Sequence, residues 1–250
     1  MEGENIYDKI QEIFGEVPGT FSILEEKIDI DLQMEYFEFS RSIKKDLDEQ
    51  AVLEQREQIF DFNRDAGDRR SMFAMLASLE EVQAYRTIER YLKEGHQELR
   101  SWAILALQES RMLLESKLLE ENQVFISTGL GGKGLKLRYF LVLIAKGKTV
   151  FSDLQKKIIR NEFEDILIKY DAEIEKIDFL GRFATLVVMV PMKVALKDVF
   201  RSAITECNQY GNFLKSNFII TNVKELNLAE IKDFLKKQQQ ASAPDGDLAK

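Results

Sequence analysis

The sequence is poor in the residues from which most enzyme sites are built. Its 250 residues include one histidine, His96, and one cysteine, Cys207. One cysteine excludes an internal disulfide framework, and one His with one Cys excludes the usual zinc site within a single chain. Histidine-dependent catalysis is nearly closed off by the same count. Three prolines and 13 glycines argue against a collagen-like or low-complexity chain, and 45% hydrophobic residues are enough to bury a core. No uninterrupted apolar run approaches the roughly 20 residues a bilayer span requires. The opening MEGENIYDKI is acidic where a secretory signal is basic. The expectation is a soluble cytoplasmic protein of one large domain or two ordinary ones, with neither membrane segment, metal nor cofactor.

What is present is charge, unevenly spread. The net charge of -8 divides at Lys133. Residues 1–132 carry 15 Lys and Arg against 28 Asp and Glu, while residues 133–250 carry 20 against 15. A basic half attracts phosphate; an acidic half repels it or pairs with a basic protein surface. The plainer alternative is that the two halves complement each other.

The first half reads as helical. Leu32, Tyr36, Phe39, Ile43 and Leu47 recur every three or four residues, the spacing of one buried helical stripe, and Asp61 to Asp68 supplies a loop after it. In YRTIERYLKEGHQELRSWAILALQESRMLLES an amphipathic helix ends near Glu94-Gly95, and a second carries Leu99, Trp102, Ala103, Leu107 and Leu114. LRSWAILALQES resembles the second helix of a HEAT-type repeat, over about one repeat. Residues 1–126 are therefore expected to form an acidic all-α domain of HEAT-like character. His96, between two helices in a polar stretch, reads as a solvated turn residue. Cys207 reads as a small packing residue, because a lone thiol without partner or base has no evident reaction.

Ser127 to Gly134 (STGLGGKG) is rich in glycine. Phosphate-cradling loops follow a strand and open a helix, whereas this one follows a helix, leads into a strand and lacks the P-loop spacing. Residues 127–136 are expected to be an interdomain hinge.

Beyond it the period changes. LRYFLVLIA, from Leu137 to Ala145, is the continuous apolar run of a central strand. Ser152 with Gln155 forms a capping box opening a helix; Glu173 to Phe179 is a charged edge strand; Phe183 to Val190 is a second apolar strand, ended by Pro191. A helix near Val194 to Tyr210, a strand at Phe218 to Val223 and a helix at Leu228 to Gln238 follow. The order β-α-β-β-α-β-α is the ferredoxin-like split βαβ with a terminal helix, in which the first and third strands are central. The fold class is α+β: the all-α domain, then a ferredoxin-like domain over 137–238. The tail 239–250 lacks the apolar residues to pack.

On RYFLVLIAKGKTVF, IDFLGRFATLVVMVP and FLKSNFIITNVKELNLAEIKDFLKKQ, residues 138–238 resemble the small single-tyrosine transposases of HUH nuclease fold. The resemblance implies a metal held by two strand histidines and a helical glutamine, beside a tyrosine that attacks the phosphodiester. The histidine positions fall on Phe183 and Thr185, the tyrosine on Phe234, and the glutamine on Gln238. Asn227 and Glu230 look like cap and third residue of the last helix, which places Phe234 and Gln238 one turn apart on one side. With carbon in place of imidazole and phenol, catalysis is expected to be lost. In an unrelated ferredoxin-like domain, Phe183 and Phe234 would be core residues, Thr185 a strand residue and Gln238 a solvated helix end.

The leading expectation is a non-catalytic nucleic-acid-binding protein derived from a transposase fold. Its candidate phosphate contacts are Lys133, Lys136, Arg138, Lys146, Lys148, Arg182 and Lys215. The resemblance implies single-stranded or hairpin nucleic acid and a homodimer. The alternative is an interaction adaptor whose acidic helical half takes a basic protein partner while the ferredoxin-like half dimerises.

Overall fold

The protein is described here by a computed structural model, which defines residues 21–43, 47–119, 124–147 and 150–241. The chain divides into two compact units, the first ending at Leu137 and the second beginning at Arg138.

In the N-terminal unit, α1 (Ile30–Ile43), α2 (Glu49–Glu54), α3 (Ala66–Ala77), α4 (Val82–Lys93) and α5 (Arg100–Leu119) are helical, with a 3-10 turn at Arg56–Phe60. Short polar side chains fix where helices begin. Asp29 Oδ1 accepts from the Asp31 amide (2.9 Å), Asp48 from Ala51 (3.1 Å) and Asp65 from Gly67 (2.7 Å). Helix α4 closes at Glu94, with Gly95 at φ +79° beyond it, where the sequence places the break.

The deepest line of α1 is polar. Tyr36 Oη donates to Glu109 (2.5 Å), and Ser40 Oγ donates to the same carboxylate (2.8 Å). Burial, then the adjacent Glu109 charge, hold the Tyr36 phenol well above its ordinary range, so it stays a donor. Leu32, Phe39, Ile43 and Leu47 flank this line against a core that includes Phe73, Ile88, Tyr91, Trp102 and Leu105.

Three expectations for this half are corrected. It is not all-α: β1 (Phe21–Ile23) pairs in parallel with β2 (Val124–Ile126), Ser22 opposite Phe125. Three-residue strands about a hundred residues apart are too short to show an alternation. His96 is not simply solvated. Its ring packs 4.8 Å from Phe62 and 4.9 Å from Tyr91, and Nε2 lies 3.0 Å from Glu94. The glycine-rich hinge is a packed loop of the N-terminal unit. Leu130, Gly131 and Gly132 are buried, the Gly132 amide donates to Leu24 O (2.9 Å), and β3 (Gly132–Lys133) turns back on Lys136 and Leu137.

The C-terminal unit contains β4 (Lys136–Ile144, its first two residues in the N-terminal unit), α6 (Asp153–Ile168), β5 (Glu173–Leu180), β6 (Phe183–Pro191), α7 (Leu196–Gln209), β7 (Ile219–Thr221) and α8 (Leu228–Ala241). Strand β4 lies between β6 and β7, and β5 pairs with β6, so the two most apolar strands are central. That is the strand order the split βαβ pattern requires. Strands β5 and β6 are antiparallel, Leu180 opposite Phe183, and β7 runs antiparallel to β4, Leu141 opposite Ile220. Every residue of β6 is buried. Helix α6 has the expected capping box, Ser152 Oγ accepting from the Gln155 amide (3.2 Å) and Gln155 Oε1 from the Ser152 amide (3.0 Å). It packs with α7, burying Phe163 and Phe200. Cys207 is fully buried, and burial pushes its thiol up to about 12, so no thiolate forms near neutrality. The strand expected at 218–223 is shorter, and the last helix runs beyond Gln238 into residues read as tail.

Candidate nucleic-acid interface

A cavity of about 390 Å³ opens in the C-terminal unit, lined by Ile144, Arg182, Phe183, Lys215, Asn217 and the α8 residues Lys232, Leu235, Lys236 and Gln238. Four of these carry positive charge, and among the described residues no carboxylate lines it.

Each cation is placed by local chemistry. Gly181 (φ +62°) and Arg182 form the two-residue connection between paired Leu180 and Phe183, a hairpin turn that needs a residue free of Cβ strain at its first position. Arg182 is fastened to the end of β4. Its carbonyl accepts from the Ala145 amide (2.9 Å), and its Nη2 donates to Ala145 O (3.3 Å). Its guanidinium lies 5.7 Å from the centre of the Phe183 ring, while Nε is buried with no hydrogen-bond partner among the described residues. A buried cationic donor left with spare capacity is a costly arrangement unless something else accepts from it.

Lys215 follows a loop clamped by Asn208, whose Nδ2 donates to Leu214 O (3.0 Å) and whose Oδ1 accepts from the Leu214 amide (2.8 Å). The Lys215 amide donates to Ile144 O (2.8 Å), which sets that side chain beside the end of β4.

Lys232 and Lys236 stand four residues apart on α8, hence on one helix side. The start of α8 is the capping box the sequence shows: Asn227 Oδ1 accepts from the Ala229 (2.9 Å) and Glu230 (3.1 Å) amides, and Glu230 Oε2 accepts from the Asn227 amide (2.8 Å). The Lys224 ammonium, then the Asn227 amide, hold the Glu230 carboxyl below the usual glutamate range. A lowered folded value means the cap contributes stability above the unfolded glutamate's value and loses it as pH falls through the folded one. Hydrogen exchange over 228–238 should therefore be slower in the wild type than in Glu230→Gln near neutral pH, with the difference vanishing in acid. A difference independent of pH would contradict this account.

The structure sorts the sequence-derived candidates. Arg182 and Lys215 line the cavity. Arg138 does not; its Nε donates to both oxygens of Glu175 (2.9 and 2.7 Å), so its charge is already matched. Lys146 is exposed but bonded to Asn212 Oδ1. Lys133 and Lys136 belong to the hairpin of the N-terminal unit, and Lys148 lies outside the described residues. Of the four positions matched to a cleavage centre, Phe183 and Gln238 share the cavity. Thr185 is buried two residues along β6 from Phe183, and Phe234 sits one turn before Gln238 with 41% of its surface exposed; neither lines the cavity. Sequence reading missed Asn217, Lys232 and Lys236. The four-residue spacing of the two lysines on a helix already marked by Gln238 was the available signal. Among the described residues, no group of three or more His, Cys, Asp or Glu side chains could hold a metal ion.

No protein-family model matches the chain, and no curated protein matches it. Solved structures do. A candidate transposase from Deinococcus radiodurans R1 is similar at 16% identity and a TM-score of 0.37, over 43% of this chain and 94% of that one. A REP-associated tyrosine transposase bound to a REP hairpin is similar at 11% identity and a TM-score of 0.31, over 40% of this chain and 61% of that one.

Proposed function

We propose that the C-terminal unit binds nucleic acid through its phosphates and does not cleave it, as a transposase-like fold that has kept its grip and lost its chemistry. One observation carries this: four cations, Arg182, Lys215, Lys232 and Lys236, line a single cavity to which no described residue contributes a carboxylate. A phosphodiester needs what they offer, namely positive charge and N–H donors. The unpartnered Nε of Arg182 supports the same reading. The apolar and amide parts of the lining, Ile144, Phe183, Leu235, Asn217 and Gln238, suit a nucleotide better than a free inorganic anion.

Cleavage through a tyrosyl intermediate requires a hydroxyl nucleophile, and the position matched to it is Phe234, whose ring has none. The matched histidine positions, Phe183 and Thr185, are both buried and offer no imidazole.

The test is binding of the full chain to a labelled single-stranded or hairpin oligonucleotide as a function of salt. Four phosphate contacts predict a log–log slope near −2.8 for single strands, so affinity should fall about fiftyfold between 50 and 200 mM salt. Binding that ignores salt would refute phosphate recognition. In the same samples with Mg²⁺ or Mn²⁺ added, neither a nick nor a covalent adduct should form, and either product would refute the non-catalytic reading.

A further inference from the structure

We propose that the cavity takes a nucleotide phosphomonoester, the terminal phosphate of a strand end or of a free nucleotide, in preference to an internal phosphodiester; this rests on the phosphate reading above. Charge set against volume points there. Arg182, Lys215, Lys232 and Lys236 reach one space of about 390 Å³ from three parts of the chain: the β5–β6 turn, the loop before β7, and α8. That is the size of a small-molecule pocket and not of a groove that follows a strand. An internal phosphodiester brings one negative charge and two free oxygens. A phosphomonoester brings about two charges at neutral pH and three acceptor oxygens, a closer match for four cations around one space. Cations gathered this way repel one another, and a dianion offsets that repulsion better than a monoanion.

A strand held along its length needs unpaired cations in a row, and α8 does not supply them. Of the described lysines on and just before this helix, Lys224 pairs with Glu230 (2.6 Å) and Lys237 with Asp233 (3.0 Å), whereas Lys232 and Lys236 both line the cavity. On β5, Lys176 is held by Asp178 (3.0 Å) and Glu225 (3.4 Å), and Arg138 on β4 is held by Glu175 (2.7 Å). Around this helix, the unpaired charge is therefore gathered at the cavity. Arg182 adds geometry to charge. Its Nη2 is fastened to Ala145 O, and its Nε has no partner among the described residues, so the planar guanidinium keeps donor capacity for two oxygens of one phosphate. Phe183, Leu235 and Asn217 complete the lining with apolar and amide surface for the sugar and base that such a phosphate carries.

The experiment uses the full chain and three labelled strands, read by fluorescence anisotropy. One carries a 5′-phosphate and one a 3′-phosphate; the third has hydroxyl ends and is one nucleotide longer, so that a diester supplies the added charge. At least one phosphorylated strand should bind about tenfold more tightly than the longer strand, the gain expected from one further charge-assisted hydrogen bond. That advantage should shrink as pH falls from about 7.5 to about 5, because a monoester loses its second charge near pH 6. The described lining residues include no histidine, carboxylate or thiol to produce the same change. Arg182→Lys, which keeps the charge and removes the fork, should also reduce the advantage. A nucleoside monophosphate that displaces the phosphorylated strand at comparable concentration would assign the monoester to free nucleotides; if it does not, the monoester is that of a strand end. Equal affinity for all three strands, with no displacement by the mononucleotide, would overturn the monoester preference, and salt-dependent binding would then leave the phosphate reading standing. Failure of all the strands to bind would overturn both.

Discussion

Reversing the charge of the two cavity lysines, as Lys232→Glu with Lys236→Glu, should weaken binding of a single-stranded oligonucleotide about a hundredfold. The basis is direct: two charge-assisted contacts worth about 1.5 kcal/mol each are lost, and each factor of ten in affinity corresponds to 1.4 kcal/mol. Both side chains are exposed and have no acidic partner that an ion pair among the described residues records, so the fold should be little affected. The milder pair Lys232→Ala with Lys236→Ala makes the argument quantitative, because halving the phosphate contacts from four to two should halve the salt slope to about −1.4. Lys224→Ala and Lys237→Ala are the matched controls. They lie near or on the same helix but pair with Glu230 and Asp233, and neither lines the cavity. Equal losses from the control pair would mean that the chain responds to its overall charge and that no cavity discriminates among the lysines.

The second large effect concerns stability. Gly131→Ala should destabilise the N-terminal unit by at least about 3 kcal/mol, whereas Gly134→Ala should cost about 1 kcal/mol. Both glycines have positive φ, +68° and +59°, so both substitutions carry the same backbone strain. They differ in what a methyl group meets. At Gly131 it would lie 2.5 Å from Glu25 O and 2.6 Å from Glu26 O, both backbone atoms that cannot swing aside. At Gly134 there is nothing within 4 Å. The comparison separates clash from strain within one loop, by chemical denaturation of the full chain followed through Trp102, which is buried in that unit. Near-equal midpoints for the two variants would show that the loop yields easily and that the packing around Leu130 to Gly132 contributes little.

Where local rules govern, the sequence was legible. The capping boxes at Ser152/Gln155 and Asn227/Glu230 could be read because they need only residues three apart. The alternation of strands and helices after Leu137 followed from runs long enough to show a period, and the central placement of β4 and β6 followed from their uninterrupted apolarity. The errors fall where identity and spacing are silent. Ser127 to Gly134 has the composition of a flexible connector, yet its glycines are required by close approach to the backbone at Glu25 and Lys136, a contact only the folded chain creates. His96 sits in a polar stretch, but Phe62 and Tyr91 reach it from elsewhere in the sequence.

The candidate site shows the same division. Arg182, Lys215, Phe183 and Gln238 could be named individually because turn chemistry and motif position single them out. Arg138 looked equally available until folding set it against Glu175, and Lys232 with Lys236, which the sequence reading did not single out, line the same cavity as Arg182 and Lys215. By itself, the sequence determined the longer helices and strands and the caps at Ser152 and Asn227, which depend on side-chain identity and near neighbours. Which charges are cancelled and which converge was decided by tertiary structure alone, because Coulomb interactions depend on distance in space, and that distance is set by the whole fold.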